Sequence, residues 1–554
     1  MKNLTSKLIS LVCCLPFSMF AQYGWIRTIN SPRHGYAASA DQNGRLNFGG
    51  WFEGATSFNP SHIGDSATSI EPNPFLVQYD SIGNLNWYKH WESNNMAYLI
   101  SVDTDPNGNI YGLGQFTNSI DLDPGSAINS TPIDEGGIFI FKLDASGNLL
   151  WTKSIQAPNT AGGSIIPRQI SVSSTGDVYL SGEFNGSFDW DPSTGTQTHV
   201  TITGNRAFFI LHLSATGDYV WFSQIEFAEE FSNQVAGLCV AGNDQVYVTG
   251  KFTNTVDFDP SASVSNVTEP DGAAFLLSLL PDGSLNWVHT IPQGSGYDCE
   301  SIGNSVVFAG QFNTPVSGSF DFDFGTGVQN IASDGIDAYF LSLDLNGNFN
   351  WVNSITGSGD QSCRSIDLSA NGTVYASGRF EQVISYPDLN YSLTSPTTSE
   401  SFICKLSNTG IFLEQFSLLG SGITSVFNIT HSAAGSTYVG GHYSGQADLN
   451  INNNVNNYAS AQGVYNPFAI KLGELNYAGL NEQDQSTWFI YPNPAQNELQ
   501  LSEVDFSQPV YLYDINGKLL TAILKPTSVI NIANLQAGAY FIQNGLKRSK
   551  FIKG

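Results

Sequence analysis

Charge is scarce in this chain, and positive charge is scarcest. Only 12% of the 554 residues are Asp, Glu, Lys or Arg, and 21 bases stand against 48 acids, a formal net charge of −27. A long anionic chain repels nucleic acid and anionic lipid, which argues against both as direct partners. Signatures of chemistry are also missing. There is no Cys-x-x-Cys, no His-Glu-x-x-His, no Gly-x-Ser-x-Gly, no phosphate loop and no dinucleotide fingerprint. The eight histidines are scattered singly, the pattern of surface or packing residues. No stretch is apolar for long enough to span a membrane as a helix. What the chain does have is 55 glycines and 12% aromatic residues, a composition that points to a β-rich, turn-rich, secreted type of protein.

Residues 1–21 read as a secretory signal, with Lys2 and Lys7 ahead of a short apolar run and cleavage expected after Ala21. Cys13 and Cys14 leave with it. Of the four remaining cysteines, Cys299 and Cys363 open the matching tetrapeptides CESI and CRSI. A bridge between them would suit an oxidising compartment, but spacing alone does not establish one. Cys239 and Cys404 lie within expected strands, as small buried hydrophobes.

The rest of the chain to about residue 473 is built on one repeat. Gly-x-Phe, or Gly-x-Tyr in the last copy, occurs at Gly50, Gly114, Gly182, Gly250, Gly310, Gly378 and Gly441, spaced 60 to 68 residues apart. A closing Trp follows at Trp87, Trp151, Trp221, Trp287 and Trp351, with Glu414 in its place in the sixth copy. These Trp residues are expected to pack one unit on the next. Each unit reads as four strands; in the third copy they are 170–172, 178–184, 208–213 and 219–225. The first-to-second and third-to-fourth turns are short and rich in Gly, Asn and Asp, while the other two connections are long and share one face. Four-stranded repeats of this kind are the propeller pattern. The seventh copy has no closing strand, and the strand beginning at Trp25 belongs to no preceding unit, so the N-terminus is expected to close a ring. The segments VYVTGKF (Val246 to Phe252) with DFDP after it, and GIDAYFLSLDLNGNFNW (Gly335 to Trp351), resemble bacterial propeller repeats of large secreted proteins. That resemblance implies a seven-bladed propeller over residues 22–473 and no particular chemistry.

A polar linker is expected at 474–488. Beyond it the charge balance changes, from 44 acids and 13 bases in residues 22–488 to 4 acids and 6 bases in 489–554. Short alternating strands and the Asn516-Gly517 turn indicate a small β-sandwich. Tyr491-Pro492-Asn493-Pro494, the turn at Gly517, Leu535-Gln-Ala-Gly538-Ala-Tyr540 and the basic end with Lys550 and Lys553 resemble the C-terminal sorting domain of type IX secretion cargo in Bacteroidota. The resemblance implies an Ig-like β-sandwich, partnership with the type IX machinery, passage through the outer membrane, and removal of the domain with release or surface attachment. The fold class expected for the whole is therefore all-β: a seven-bladed β-propeller closed by its N-terminal strand, plus this sandwich.

Four Asp-x-Asp pairs follow the Gly-x-Phe strands: Asp121/Asp123, Asp189/Asp191, Asp257/Asp259 and Asp321/Asp323. Residues two apart on a strand share a side, so each pair offers two carboxylates to a hard cation such as calcium. The alternative is a turn in which Asp caps the backbone. Trp190, inside one of these elements, stacks on a ligand if exposed and caps the unit if buried. No other cofactor is expected. The leading function is a secreted or cell-surface, non-catalytic binding or adhesion module for an extracellular glycan or protein. The alternative is an extracellular hydrolase or lyase on polysaccharide or peptide, with acids of several units meeting at the mouth of the channel. A passive surface-layer component is the third reading.

Overall fold

The computed structural model describes residues 23–472 and 490–553 apart from 30–33, 60–63, 132–135, 157–162, 229–232, 315–317, 334, 390, 396–399, 421–422, 450–456, 460–464, 492–494, 502–509, 515–518, 524–526, 537 and 545–546. The expected signal segment and linker lie outside the described residues. The chain divides into two compact units, Met1–Glu474 and Leu475–Gly554.

The first unit is all β apart from one 3-10 turn at Pro387–Leu389, among the described residues. Its larger sheets are five four-stranded and two six-stranded antiparallel sheets, each built on a four-strand meander. We number them one to seven by their first strands: Gly35–Ala40, Ala97–Thr104, Ser164–Val172, Gln234–Val240, Ser295–Ile302, Gln361–Leu368 and Ile423–His431. The third sheet continues through Val178–Asn185, Asn205–Leu213 and Tyr219–Ala228. The seventh has only Thr437–Ser444 and Asn466–Leu472 after its first strand, and its fourth position is filled by Tyr23–Thr28, with Ile26 opposite Ile470. The second and third strands carry near-continuous apolar runs because they are buried on both faces, as in Ile110–Phe116 and Gly137–Leu143, each broken by a single polar residue.

A single irregularity explains the glycine of every Gly-x-Phe. The pairing of the first strand with the second skips one residue in all seven sheets: Tyr36, Ile100, Arg168, Ala236, Tyr297, Arg364 and Phe427. Such a bulge bends the strand and re-aims the extra side chain. It also presses a carbonyl of the first strand onto the second. A Cβ at Gly50, Gly114, Gly182, Gly250, Gly310, Gly378 or Gly441 would overlap the oxygen of His34, Tyr98, Ile166, Gln234, Ser295, Ser362 or Ser425 respectively. Only glycine fits there.

The closing tryptophans meet a second set of glycines. Trp87, Trp151, Trp221, Trp287 and Trp351 each lie on the third-to-fourth turn of the following sheet, against Gly147, Gly217, Gly283, Gly347 and Gly410. Those glycines have φ between 79° and 85°, so glycine satisfies both the left-handed turn and the ring above it. Trp25 does the same to Gly83 of the first sheet and donates its indole N–H to the Ser81 carbonyl at 3.3 Å. Glu414 now has a reason. The seventh sheet takes its fourth strand from the other end of the chain, so among the described residues no turn glycine joins its third strand to its fourth for a Trp in the sixth to cover. Glu414 instead faces Lys405 across the strand pair at 3.7 Å.

The four cysteines among the described residues, Cys239, Cys299, Cys363 and Cys404, are free and buried. Cys299 and Cys363 do not hold matched places. Cys363 pairs with Gly378 of its Gly-x-Phe, a place held in the fifth sheet by Gly296 opposite Gly310, three residues before Cys299. The Cys299 thiol lies instead on the Tyr247 carbonyl at 3.5 Å.

The second unit has a three-stranded sheet, Ile490–Tyr491, Glu498–Leu501 and Val529–Asn531, and a four-stranded one, Val510–Asp514, Leu519–Ile523, Gly538–Asn544 and Lys547–Lys553. Leu499, Leu501 and Ile530 of the first share one core with Val510, Leu512, Ile542 and Phe551 of the second, which makes it a small sandwich.

Candidate functional site

The first strands pack on one another in succession, sheet one on two through six on seven, and seven on one. Residues of all seven line one cavity of about 80 Å³. A side chain crosses every junction. Ser39 Oγ donates to Thr104 Oγ1 at 2.8 Å (one to two), and Asp103 Oδ2 accepts the Val172 N–H at 2.8 Å (two to three). Gln169 Oε1 accepts the Leu238 N–H at 3.1 Å (three to four), and Ser301 Oγ donates to the Val240 carbonyl at 3.0 Å (four to five). Asp298 Oδ2 accepts the Ile366 N–H at 2.9 Å and Asp367 Oδ2 the His431 N–H at 2.6 Å (five to six, six to seven). Thr430 Oγ1 accepts the Ala40 N–H at 3.1 Å (seven to one). The exposed edges of the first strands are thus covered by polar side chains. Gln169 Nε2 also reaches Asp298 Oδ1 at 3.4 Å, from the third sheet to the fifth, and so bars the cavity.

Three of these acids are strongly perturbed. Burial pushes the Asp103 and Asp298 carboxyls up to about 7 and that of Asp367 to about 6, against the pull of their N–H donors. Glu300 lines the same cavity and accepts no hydrogen bond among the described residues; burial, then Asp367, Asp298 and Asp103, push its carboxyl well up. A cavity of 80 Å³ has room for water and is far below the roughly 300–1,000 Å³ of a ligand pocket, so what this layer can do is knit the strands and store protons.

At the start of each first strand, where the long connections arrive, the bulge residues surround the mouth of the cavity. The mouth has two unlike arcs. On sheets seven, one and two it is aromatic. Trp51 meets Tyr98 at 5.0 Å and His34 at 5.6 Å, His34 stacks between Tyr36 at 5.3 Å and Tyr465 at 4.9 Å, and Tyr36 meets Phe427 at 5.4 Å. His34 and His442 are hydrogen-bonded through their Nδ1 atoms at 2.8 Å, and burial, then His34, hold the His442 imidazole down to about 3. On sheets three to six the mouth is polar. Arg168 pairs with Glu183 at 3.0 Å, Tyr297 donates to Gln311 at 3.1 Å, and the Arg364 guanidinium lies 4.2 Å from the centre of the Tyr297 ring.

The Asp-x-Asp pairs are placed elsewhere, in the second-to-third connections. Oδ1 of Asp121, Asp189, Asp257 and Asp321 accepts two loop N–H groups each, from the second Asp and from Asn129, Gln197, Ser265 and Gln329. Oδ1 of Asp123, Asp191, Asp259 and Asp323 accepts the N–H of Gly125, Ser193, Ser261 and Gly325. The residue between the two aspartates is a core plug: Leu122, Trp190, Phe258 and Phe322 are buried, and Trp190 stacks on Phe222 at 4.3 Å. No group of three or more His, Cys, Asp or Glu among the described residues is placed to hold a metal.

Of the sorting residues, Pro492, Asn493, Pro494 and Gly517 lie outside the described residues. Tyr491 is in an edge strand opposite Gln500, and Gly538 faces Lys553, which is 9% exposed and bridges to Ala495. Sequence reading missed the cavity acids and the aromatic arc. The alternation of the first strands hints at the acids, but the arc is drawn from sheets at the two ends of the chain.

Residues 489–553 match the family described as the secretion system C-terminal sorting domain. That tail implies partnership with the type IX secretion machinery and export to the cell surface or the extracellular space. An uncharacterized WD repeat-containing protein of Acanthamoeba polyphaga mimivirus is 25% identical over 252 residues, 41% of this chain and only 18% of that relative. Among solved structures, a protein of unknown function from Bacteroides caccae matches at 9% identity over 58% of this chain and 81% of that one, with a TM-score of 0.27. PorZ, a surface component of the type IX secretion system of Porphyromonas gingivalis, matches at 10% identity over 94% of this chain and 81% of that one, with a TM-score of 0.22. Likenesses this weak add nothing to the fold described above. No helix among the described residues is long and apolar enough to cross a membrane.

Proposed function

We propose that residues 22–473 form a seven-bladed propeller closed by the N-terminal strand, and that it works outside the cell as a non-catalytic binding module delivered by the type IX sorting domain of residues 489–554. Closure is supported by the pairing of Tyr23–Thr28 with Asn466–Leu472 and by the side-chain link at the junction of sheets seven and one. The observation that carries the binding reading is the mouth: half-buried rings and exposed polar groups on rigid inner strands, above a layer too tight for a ligand. A sorting domain of this kind is removed after export in the scheme its family implies, leaving the propeller released or attached.

One observation favours the hydrolase alternative. Glu300 is a carboxyl without a hydrogen-bond partner among the described residues, pushed well up by burial and by three neighbouring carboxyls, which is the direction a general acid needs. The test is the full exported chain on a panel of extracellular glycans and proteins. Retention that Trp51→Ala abolishes, with no product released, supports the binding module. Turnover that Glu300→Gln abolishes would replace it with the enzyme.

A further inference from the structure

Positive charge is rare in this protein, and its placement is informative. Residues 22–488 hold 13 bases against 44 acids, yet two of the bases, Arg168 and Arg364, are bulge residues of first strands, and two more, Lys251 and Arg379, are the x of Gly-x-Phe on the second strands beside them. Arg168 and Arg379 have acid partners in Glu183 and Glu381. Arg364 has none among the described residues. Its side chain is exposed although it belongs to an innermost strand, and it is held by Tyr297 beneath it and by the Ser362 hydroxyl, which accepts its Nε–H at 3.1 Å. A guanidinium held flat by a ring presents its remaining N–H groups in a fixed fork, which fits a carboxylate or sulfate.

Beginning on the neighbouring seventh sheet and running on through the first to the second is the aromatic arc of Phe427, Tyr36, Trp51 and Tyr98. Flat rings with polar edges pack on the C–H face of a sugar. A peptide fits less well. It would bind by adding a strand, but the inner strand edges are already occupied by the side-chain links, and the barred cavity leaves no apolar pocket for an anchoring residue.

We infer that the mouth binds an acidic polysaccharide, its sugar rings on the Trp51–Tyr98 arc and an acid group on Arg364. This rests on the binding reading above and adds the ligand class to it. The probe is polygalacturonate, with its methyl ester as the same polymer without charge, titrated into the full chain by calorimetry. The expected result is binding to polygalacturonate that weakens with salt, drops about tenfold for the methyl ester and for Arg364→Gln, and drops as far for Trp51→Ala, with melting temperatures unchanged. Arg364→Lys should recover part of the loss. Equal binding of polymer and ester, abolished by Trp51→Ala, overturns the acidic class and leaves the mouth as a binding site. Equal competition by poly-glutamate overturns the sugar. Indifference of every polymer to both variants overturns the inference together with the reading beneath it.

Discussion

Aspartates at two places in the first unit accept the same kind of hydrogen bond and end with opposite acidities. At the third-to-fourth turns, Asp80, Asp144 and Asp344 each take the N–H groups of the residues two and four further on. Burial is the largest single influence and raises each of them, but the backbone and Asn amide donors together outweigh it, so all three sit below the usual carboxylate range. At the axis, Asp103, Asp298 and Asp367 also accept backbone N–H groups, yet burial wins and all three are raised. The turn aspartates stabilise a local loop in contact with water. The axial ones join one sheet to the next and lose hydration in doing so. The glycines divide too: those of Gly-x-Phe are required by close packing, whereas a glycine such as Gly204 is required by its backbone angle alone.

The largest expected effect tests that division among glycines. Gly378→Ala drives a methyl into the Ser362 carbonyl and the Phe402 ring, and should destabilise by about 3 kcal/mol or prevent folding. Gly204→Ala, at φ 86° with nothing within 4 Å, should cost about 1–2 kcal/mol from its backbone angle alone. Equal losses in denaturant titrations would break the comparison.

The next effect is on pH. Carboxyls raised in the folded state hold more protons there than in the unfolded chain, so their contribution is present at low pH and is lost as pH rises through about 6 to 7. The melting temperature should therefore fall between pH 5 and pH 8. General repulsion in a chain of net charge −27 acts in the same direction, so the sharper test is Glu300→Gln. It should raise the melting temperature at pH 8 by about 2 °C or more and change little at pH 5. A variant that melts lower than the parent at pH 8 would show that Glu300 is not a strained carboxyl.

The smallest expected effect is at the Asp-x-Asp loops, where eight carboxylates each already spend an oxygen on loop N–H groups. Calorimetry of the full chain in Ca²⁺ and in EDTA should give melting temperatures within about 1 °C. A calcium-dependent rise lost in Asp189→Ala with Asp191→Ala would make these loops metal sites.

The repeat was legible in the sequence because its anchors are strict. Gly-x-Phe is forced by a bulge, and the closing Trp by a turn glycine one sheet away. The bulge itself was not legible, since an extra residue in one strand of a pair leaves no mark until the partner is known. CESI and CRSI looked matched although Cys299 and Cys363 stand three residues apart in register, because the turn from first to second strand is shorter in the fifth sheet, where Ile302 pairs with Ser305, than in the sixth, where Leu368 pairs with Val374. Trp190 was ambiguous because Asp-aromatic-Asp suits both an exposed ring and a plug, and only burial decides. The mouth was hidden because Trp51 and Tyr98 meet only across two successive sheets, and Tyr36 and Phe427 only once the first sheet packs on the seventh.

The most direct test of the account is hydrogen exchange of the amides in Tyr23–Thr28 within the full chain. If the N-terminal strand closes the ring, these amides are protected to the same degree as those of Asn466–Leu472, with which they pair. If they exchange as freely as an unpaired terminus while Asn466–Leu472 stays protected, the ring is open and the account fails.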